Sequence, residues 1–115
     1  MRRLRKAAAA KLIAKEPDNE ELERLLDFWA TVAFMVRSGA INLGFAYDQF
    51  GWWMIRYWHC SKEHIARSRA QDPGSFRNLE HVVKSLIRRE MRDCYSKNDY
   101  SESKLAMFLA QETRL

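Results

Sequence analysis

The chain has 115 residues, of which 47% are hydrophobic and 30% charged, with 4 Gly, 2 Pro and a net charge of +5 at pH 7. This length fits one domain, and the hydrophobic content excludes a chain that is disordered throughout. So few Gly and Pro residues argue against a turn-rich β-sandwich or a low-complexity linker. We therefore expect an all-α fold, a single compact bundle of four to six helices.

The N-terminal segment carries the excess positive charge. Residues 1–15 contain six basic side chains and no acidic one, and their alanines favour a helix. We expect a basic helix or arm over 1–15 and a helical domain over 16–115. Such an arm would bind nucleic acid in a salt-dependent way or contact anionic lipid. The candidate arm residues are Arg2, Arg3, Arg5, Lys6 and Lys11.

The second predicted helix covers about 19–38. Its apolar residues recur at intervals of three and four, as on one buried stripe. Asp18 or Asn19 is suited to the N-cap, and Gly39 to the C-terminal cap. The stripe comprises Leu22, Leu25, Leu26, Trp29, Val32, Ala33 and Val36.

Two helices are predicted next, with a corner between them. Asn42 is suited to cap a short helix over 42–50, and Gly51 is interpreted as the sharp corner where that helix ends. A long helix over 52–70 follows.

The last part of the chain predicts two further helices. The sequence Gln-Asp-Pro-Gly-Ser at 71–75 is a strong break, and a helix over about 75–96 follows it. Asp99 and Glu102 have the spacing of a capping box at the start of a short final helix. The residues expected to be buried on the 75–96 helix are Phe76, Leu79, Val83, Leu86, Ile87 and Met91.

Motifs for catalysis, cofactors and metals are weak in this sequence. Cys60 and His64 have the spacing of two zinc ligands, but His81 and Cys94 are roughly 20 Å apart along one helix and cannot share an ion with each other. Phosphate-loop and dinucleotide motifs are absent from the sequence. We therefore expect a protein that is not an enzyme, without catalytic residues, cofactor or metal.

The lengths of the apolar runs and the number of cysteines indicate where in the cell the protein is expected. No apolar run reaches the 18 residues that suggest a membrane span. Two cysteines are too few for a disulfide framework, so a reduced cytoplasmic protein without a transmembrane segment is expected.

Large aromatic side chains are concentrated between positions 45 and 58. Neighbouring residues on a helix point about 100° apart, so Trp52 and Trp53 cannot both face one core. One interpretation is a small core built from large side chains. The other is a surface that binds a partner, since exposed Trp and Tyr residues anchor protein interfaces, with Tyr47, Trp52 and Trp53 as its candidate residues.

Four short motifs lie between positions 47 and 80. They are Y-D-Q-F-G at 47–51, R-Y-W at 56–58, D-P at 72–73, and F-R-N-L-E at 76–80. With these motifs, the segment from Phe28 to Glu90 resembles an uncharacterised family of bacterial helical domains. Members of that family often follow N-terminal membrane helices, and we expect the basic segment to take their place in this sequence. The resemblance implies an all-α fold, a bacterial or phage setting and a regulatory or interaction role.

The same motifs also have a physical interpretation as structure. Asp48 and Arg56 are expected to form a buried ion pair between the short and the long helix, so that Asp48→Ala would lower the melting temperature by several degrees. Gly51 would allow the corner, and Tyr57 and Trp58 would fill the core beneath it.

The leading hypothesis is a small non-catalytic module that binds another protein, with a second copy of itself as one alternative. A nucleic-acid-binding protein that uses the basic arm and a small inhibitor of another protein are the other hypotheses.

Overall fold

The computed structural model describes residues 1–93 and 100–114. Within them the chain forms α-helices and no strand, which confirms the all-α prediction. Cys94 and Asp99 lie outside the described residues. The six helices of the described chain are α1 (Arg2–Ile13), α2 (Glu20–Arg37), α3 (Leu43–Cys60), α4 (Lys62–Gln71), α5 (Arg77–Asp93) and α6 (Glu102–Thr113).

The described residues divide into two units, of which the first contains 1–29 and 100–114. In this unit α1 packs against α6, and the small side chains of Ala8 and Ala9 are fully buried. Asn19 Oδ1 accepts a hydrogen bond from Leu22 N at 3.1 Å, and its Nδ2 donates to Ala8 O at 3.1 Å. Asn19 is therefore the N-terminal cap of α2, and it also ties the middle of α1 to the start of α2.

The apolar stripe predicted on α2 is present. All its members are buried except Val36, which is half-buried. Gly39 has φ +87°, and the backbone N–H of Ala40 donates to Met35 O at 2.9 Å. The predicted C-terminal cap of α2 is therefore confirmed.

The second unit contains 30–93 of the described chain, and here the predicted helix boundary is wrong. α3 runs without interruption through Gly51, and the helix breaks at Ser61 instead. A Cβ at Gly51 would lie 3.1 Å from Cδ1 of Tyr47, so this glycine makes room for an aromatic ring and not for a corner. Ser61 is fully buried, and its hydroxyl donates to Tyr57 O at 2.5 Å.

The core of the second unit forms where α3 packs against α5. Its buried side chains include Met54, Ile55, Tyr57, Leu79, Val82, Val83 and Leu86. Contrary to prediction, Phe76 and Ile87 are half-buried and Met91 is 55% exposed. The buried position at this end of the α5 stripe belongs to Glu90, so Met91, about 100° further round the helix, points away from it.

The final helix begins later than the capping-box spacing suggests. Its N-cap is Ser101, whose Oγ accepts from Lys104 N at 3.3 Å. In residues 1–93 and 100–114, none of the helices combines the length and the apolar character that crossing a membrane requires.

Candidate functional site

One side of α3 is exposed over two helical turns. Trp52 is 52% exposed and Phe45 is 50% exposed, and their separation of seven residues places them on the same side of the helix. Asp48 and Gln49 lie between them and are also exposed. We call these four residues the α3 face.

A shallow groove begins at the N-terminal end of the α3 face. Its volume is about 330 Å³, and it is lined by Ala40, Ile41, Asn42 and Phe45. Asn42 is the predicted N-cap of α3, since its Oδ1 accepts from Phe45 N at 2.7 Å. The groove therefore extends the apolar surface of Phe45 onto the turn before the helix.

Trp52 is held in place by Arg56, one turn further along α3. The guanidinium carbon of Arg56 lies 3.3 Å from the centroid of the Trp52 ring, a cation–π contact. Arg56 Nη1 also donates to Trp52 O at 3.2 Å. The indole is thus stacked on one side and exposed on the other.

Arg56 is held in turn by Glu90 of α5. Its Nη2 donates to Glu90 Oε1 at 2.7 Å and its Nη1 to Oε2 at 3.2 Å. The two side chains are 11% and 5% exposed. This bidentate geometry fixes the plane of the guanidinium. Because Trp52 stacks on that plane, its position depends on a contact between α3 and α5.

The expected ion pair between Asp48 and Arg56 is therefore replaced by one between Arg56 and Glu90. Both predicted partners lie on α3, eight residues or about 12 Å apart along its axis, and Asp48 is exposed. Glu90 was missed by the sequence analysis, although it continues the spacing of Val83 and Leu86 on the apolar stripe. A charged residue in such a position is a signal for a buried partner.

The remaining aromatic motif residues have different environments. Tyr57 is fully buried, as expected, whereas Trp58 is half-buried with the Arg69 guanidinium 5.8 Å from its ring. Tyr47 and Trp53 are half-buried, and the Arg89 guanidinium lies 5.4 Å from the Tyr47 ring. Of the three candidate partner residues, Trp52 is thus the one most open to solvent.

Two of the five candidate arm residues have partners within the first unit. Arg5 Nε contacts Glu112 Oε1 at 2.9 Å, and Lys11 Nζ contacts Glu21 Oε2 at 2.8 Å. The hydrogen bond between Lys11 and Glu21 raises the pKa of the lysine and lowers the pKa of the glutamate. The other three arm residues, Arg2, Arg3 and Lys6, are exposed.

A histidine and a cysteine, His59 and Cys60, lie next to each other at the C-terminal end of α3. Burial raises the pKa of the Cys60 thiol to about 12, so it is almost entirely protonated at neutral pH and a poor nucleophile. Burial, with the nearby cations of Lys62 and Arg56, lowers the pKa of His59. In the part of the chain that the structure describes, no three His, Cys, Asp or Glu side chains converge as a metal site requires.

The comparisons with known proteins point to one family. A family model described as a domain of unknown function, DUF4760, matches residues 2–86, while no curated protein and no solved structure matches the chain. The matched region begins with α1 and includes Phe45, Trp52 and Arg56. Since the model covers more than half of the sequence, the chain belongs to the DUF4760 family.

Proposed function

We propose that this protein is a non-catalytic interaction module that binds another protein through the α3 face. The observation that carries the proposal is Trp52, which is 52% exposed and yet stacked against Arg56. Tryptophan and arginine are the side chains most enriched at the centres of protein interfaces. A side chain that is already ordered loses less conformational entropy on binding, so Trp52 is suited to act as an anchor.

Phe45 supplies a second anchor at the other end of the α3 face. Along the helix axis the two rings are about 10.5 Å apart, which matches two apolar side chains on one stripe of a partner helix. The groove of about 330 Å³ beside Phe45 is suited to receive an apolar side chain. The polar residues between the anchors, Asp48 and Gln49, can form hydrogen bonds to the partner.

The regulatory or inhibitory role would use the same contact, since a module without catalytic groups acts by occupying a surface of its target. The resemblance to bacterial helical domains supports a bacterial or phage setting, and the reduced-cysteine argument a cytoplasmic one. The alternative of nucleic-acid binding has less support, because Arg5 and Lys11 are engaged with Glu112 and Glu21.

The test is affinity capture with the full chain and a photo-crosslinking residue at position 49, between the two anchors. We expect the otherwise unchanged chain to be crosslinked to one partner of defined mass. This crosslink should be absent in the double variant Phe45→Ala plus Trp52→Ala. Met107→Ala is the matched control, because Met107 is 58% exposed and lies on α6. Capture that persists in the double variant, or that is lost equally in the control, contradicts the proposal.

Light scattering and a mobility shift on the same preparation separate the alternatives. A dimer that the double variant converts to a monomer identifies a second copy as the partner.

Deletion of residues 1–15 is not a clean test of nucleic-acid binding, because it would remove the buried Ala8 and Ala9. The triple variant Arg2→Gln, Arg3→Gln, Lys6→Gln keeps α1. A salt-sensitive shift that this variant abolishes would favour nucleic acid instead.

A further inference from the structure

A second groove of the 30–93 unit lies along α4. Its volume is about 360 Å³, and four of its residues have the spacing i, i+3, i+4 and i+7 of one side of a helix. The fifth comes from the last turn of α3, just before the bend at Ser61. The lining residues are Trp58, Lys62, Ile65, Ala66 and Arg69.

The charges of this groove lie at its two ends. Lys62 and Arg69 are seven residues apart, or about 10.5 Å along the α4 axis. Between them the floor is apolar, formed by Ile65, which is 5% exposed, and the exposed Ala66. The indole of Trp58 adds apolar surface to the groove, and the Arg69 guanidinium lies 5.8 Å from its ring.

Arg69 is fixed at its end of the groove. Its Nε donates to Ser75 O at 3.0 Å and its Nη1 to Glu80 Oε1 at 2.9 Å. Glu80 also contacts Lys84 Nζ at 3.3 Å. Since one carboxylate is shared between two cations, this end of the groove keeps a positive charge that a second carboxylate can approach.

We propose that the α4 groove binds an acidic segment of another protein. Two carboxylates of the segment would pair with Lys62 and Arg69, and an apolar side chain between them would cover Ile65 and Ala66. A nucleic-acid backbone fits this pattern less well, because it would place phosphate charge over the apolar floor. The proposal does not depend on the α3 face.

The probe is a synthetic amphipathic helical peptide with glutamates at positions i and i+7 and leucines at i+3 and i+4, which mirrors the spacing of the groove. Its control peptide has glutamine in place of both glutamates. Binding is followed through the indole N–H signals of the tryptophans in a proton–nitrogen NMR spectrum, with Trp58→Phe identifying the signal of Trp58. We expect the acidic peptide to shift that signal and the glutamine peptide to bind more weakly.

The decisive variant is Lys62→Gln, which removes an exposed cation. We expect it to weaken peptide binding about threefold to fivefold, the effect of one exposed ion pair. Arg67→Gln is the matched control, since it makes the same change of charge on the same helix outside the groove lining. The Phe45→Ala plus Trp52→Ala variant should bind the peptide as before, which separates this proposal from the previous one.

Three results would overturn the proposal. The first is an acidic peptide that does not shift the Trp58 signal, and the second is equal binding by the glutamine peptide or by Lys62→Gln. The third is a single-stranded DNA dodecamer that shifts the same signal more strongly than the peptide does.

Discussion

Each of the two units joins a pair of helices with a buried arginine and glutamate, in very different surroundings. Arg56 and Glu90 connect α3 to α5, and their side chains are 11% and 5% exposed. Arg5 and Glu112 connect α1 to α6, at 11% and 6%. The arginine of the first pair supports the ring of Trp52 and lies on a helix that buries Met54, Ile55 and Tyr57. The arginine of the second lies on a helix whose buried residues are Ala8 and Ala9. The two ion pairs have the same chemistry, but their neighbours give them different roles. Arg56 and Glu90 keep an exposed tryptophan ordered, whereas Arg5 and Glu112 join two closely packed helices.

The largest effect expected from this comparison is that of Glu90→Ala. It would leave the Arg56 guanidinium buried opposite a missing carboxylate, which costs about 3–5 kcal/mol of unfolding free energy. Urea denaturation measures the loss. The double variant Arg56→Leu, Glu90→Leu is the control, because replacing both charges with apolar groups is often close to neutral. A loss below about 1 kcal/mol in Glu90→Ala would mean that the pair is not buried in solution.

Glu112→Ala should cost less, about 1.5–3 kcal/mol, the range of a hydrogen bond to a charged group. The reason is that the buried residues of α1 are the small Ala8 and Ala9, on which the helix can shift to bring Arg5 to solvent. Arg56 lies on a helix that is fixed by larger buried side chains, among them Met54 and Tyr57. The same urea series compares the two variants directly. Equal losses would show that the surroundings do not distinguish the two pairs.

The stability of the second unit should also depend on pH, with a smaller effect than those of the two substitutions. Burial, then the cations of Lys62 and Arg56, lower the pKa of His59 below its usual 6.5, while Glu90 opposes this shift. The unfolded chain therefore binds the proton at higher pH, and the stability of the second unit falls as the pH drops below about 6.5. Urea midpoints at pH 7.5, 6.5 and 5.5 measure the slope, which His59→Gln should flatten. Every histidine of the chain lies within 30–93, and a slope that stays unchanged in His59→Gln would contradict the assignment of the pH dependence to His59.

The smallest effect is expected for Asp48→Ala. Because Asp48 is exposed and Arg56 pairs with Glu90, the unfolding free energy should change by no more than about 0.5 kcal/mol. Thermal unfolding beside Glu90→Ala is the measurement. A drop of several degrees would restore the role that the sequence motif suggested for this aspartate.

The parts of the fold that the sequence predicted depend on local interactions. As helix caps, Asn19, Gly39 and Asn42 act on backbone groups only a few residues away, and the α2 stripe follows from helical spacing alone. The boundary between α3 and α4 was misplaced because a glycine signal is ambiguous. Gly51 permits a corner, but in the structure it lies inside α3, where the absence of a Cβ leaves room for the ring of Tyr47 one turn earlier. The break occurs at Ser61, whose full burial the sequence pattern does not reveal.

The candidate site was predicted only in part, because its local features follow from the sequence and its long-range contacts do not. The divergence of Trp52 and Trp53 is a property of one helix and could be derived from their adjacency. What holds the exposed Trp52 in place is Arg56, which is bound by a carboxylate 34 residues further along the chain. The ion pairs of Arg5 and Lys11 are likewise long-range or interhelical contacts, so a list of basic residues overstates the charge available for binding phosphates.

The bidentate pair also has a consequence for where the folded domain ends. The family match stops at Leu86, one turn before Glu90. A chain cut at that boundary would keep Trp52 and Arg56 but leave the guanidinium without its carboxylate. The smallest piece of this protein able to fold around an ordered Trp52 must therefore include α5 as far as Glu90, and truncation series or domain fusions should place their boundary beyond it.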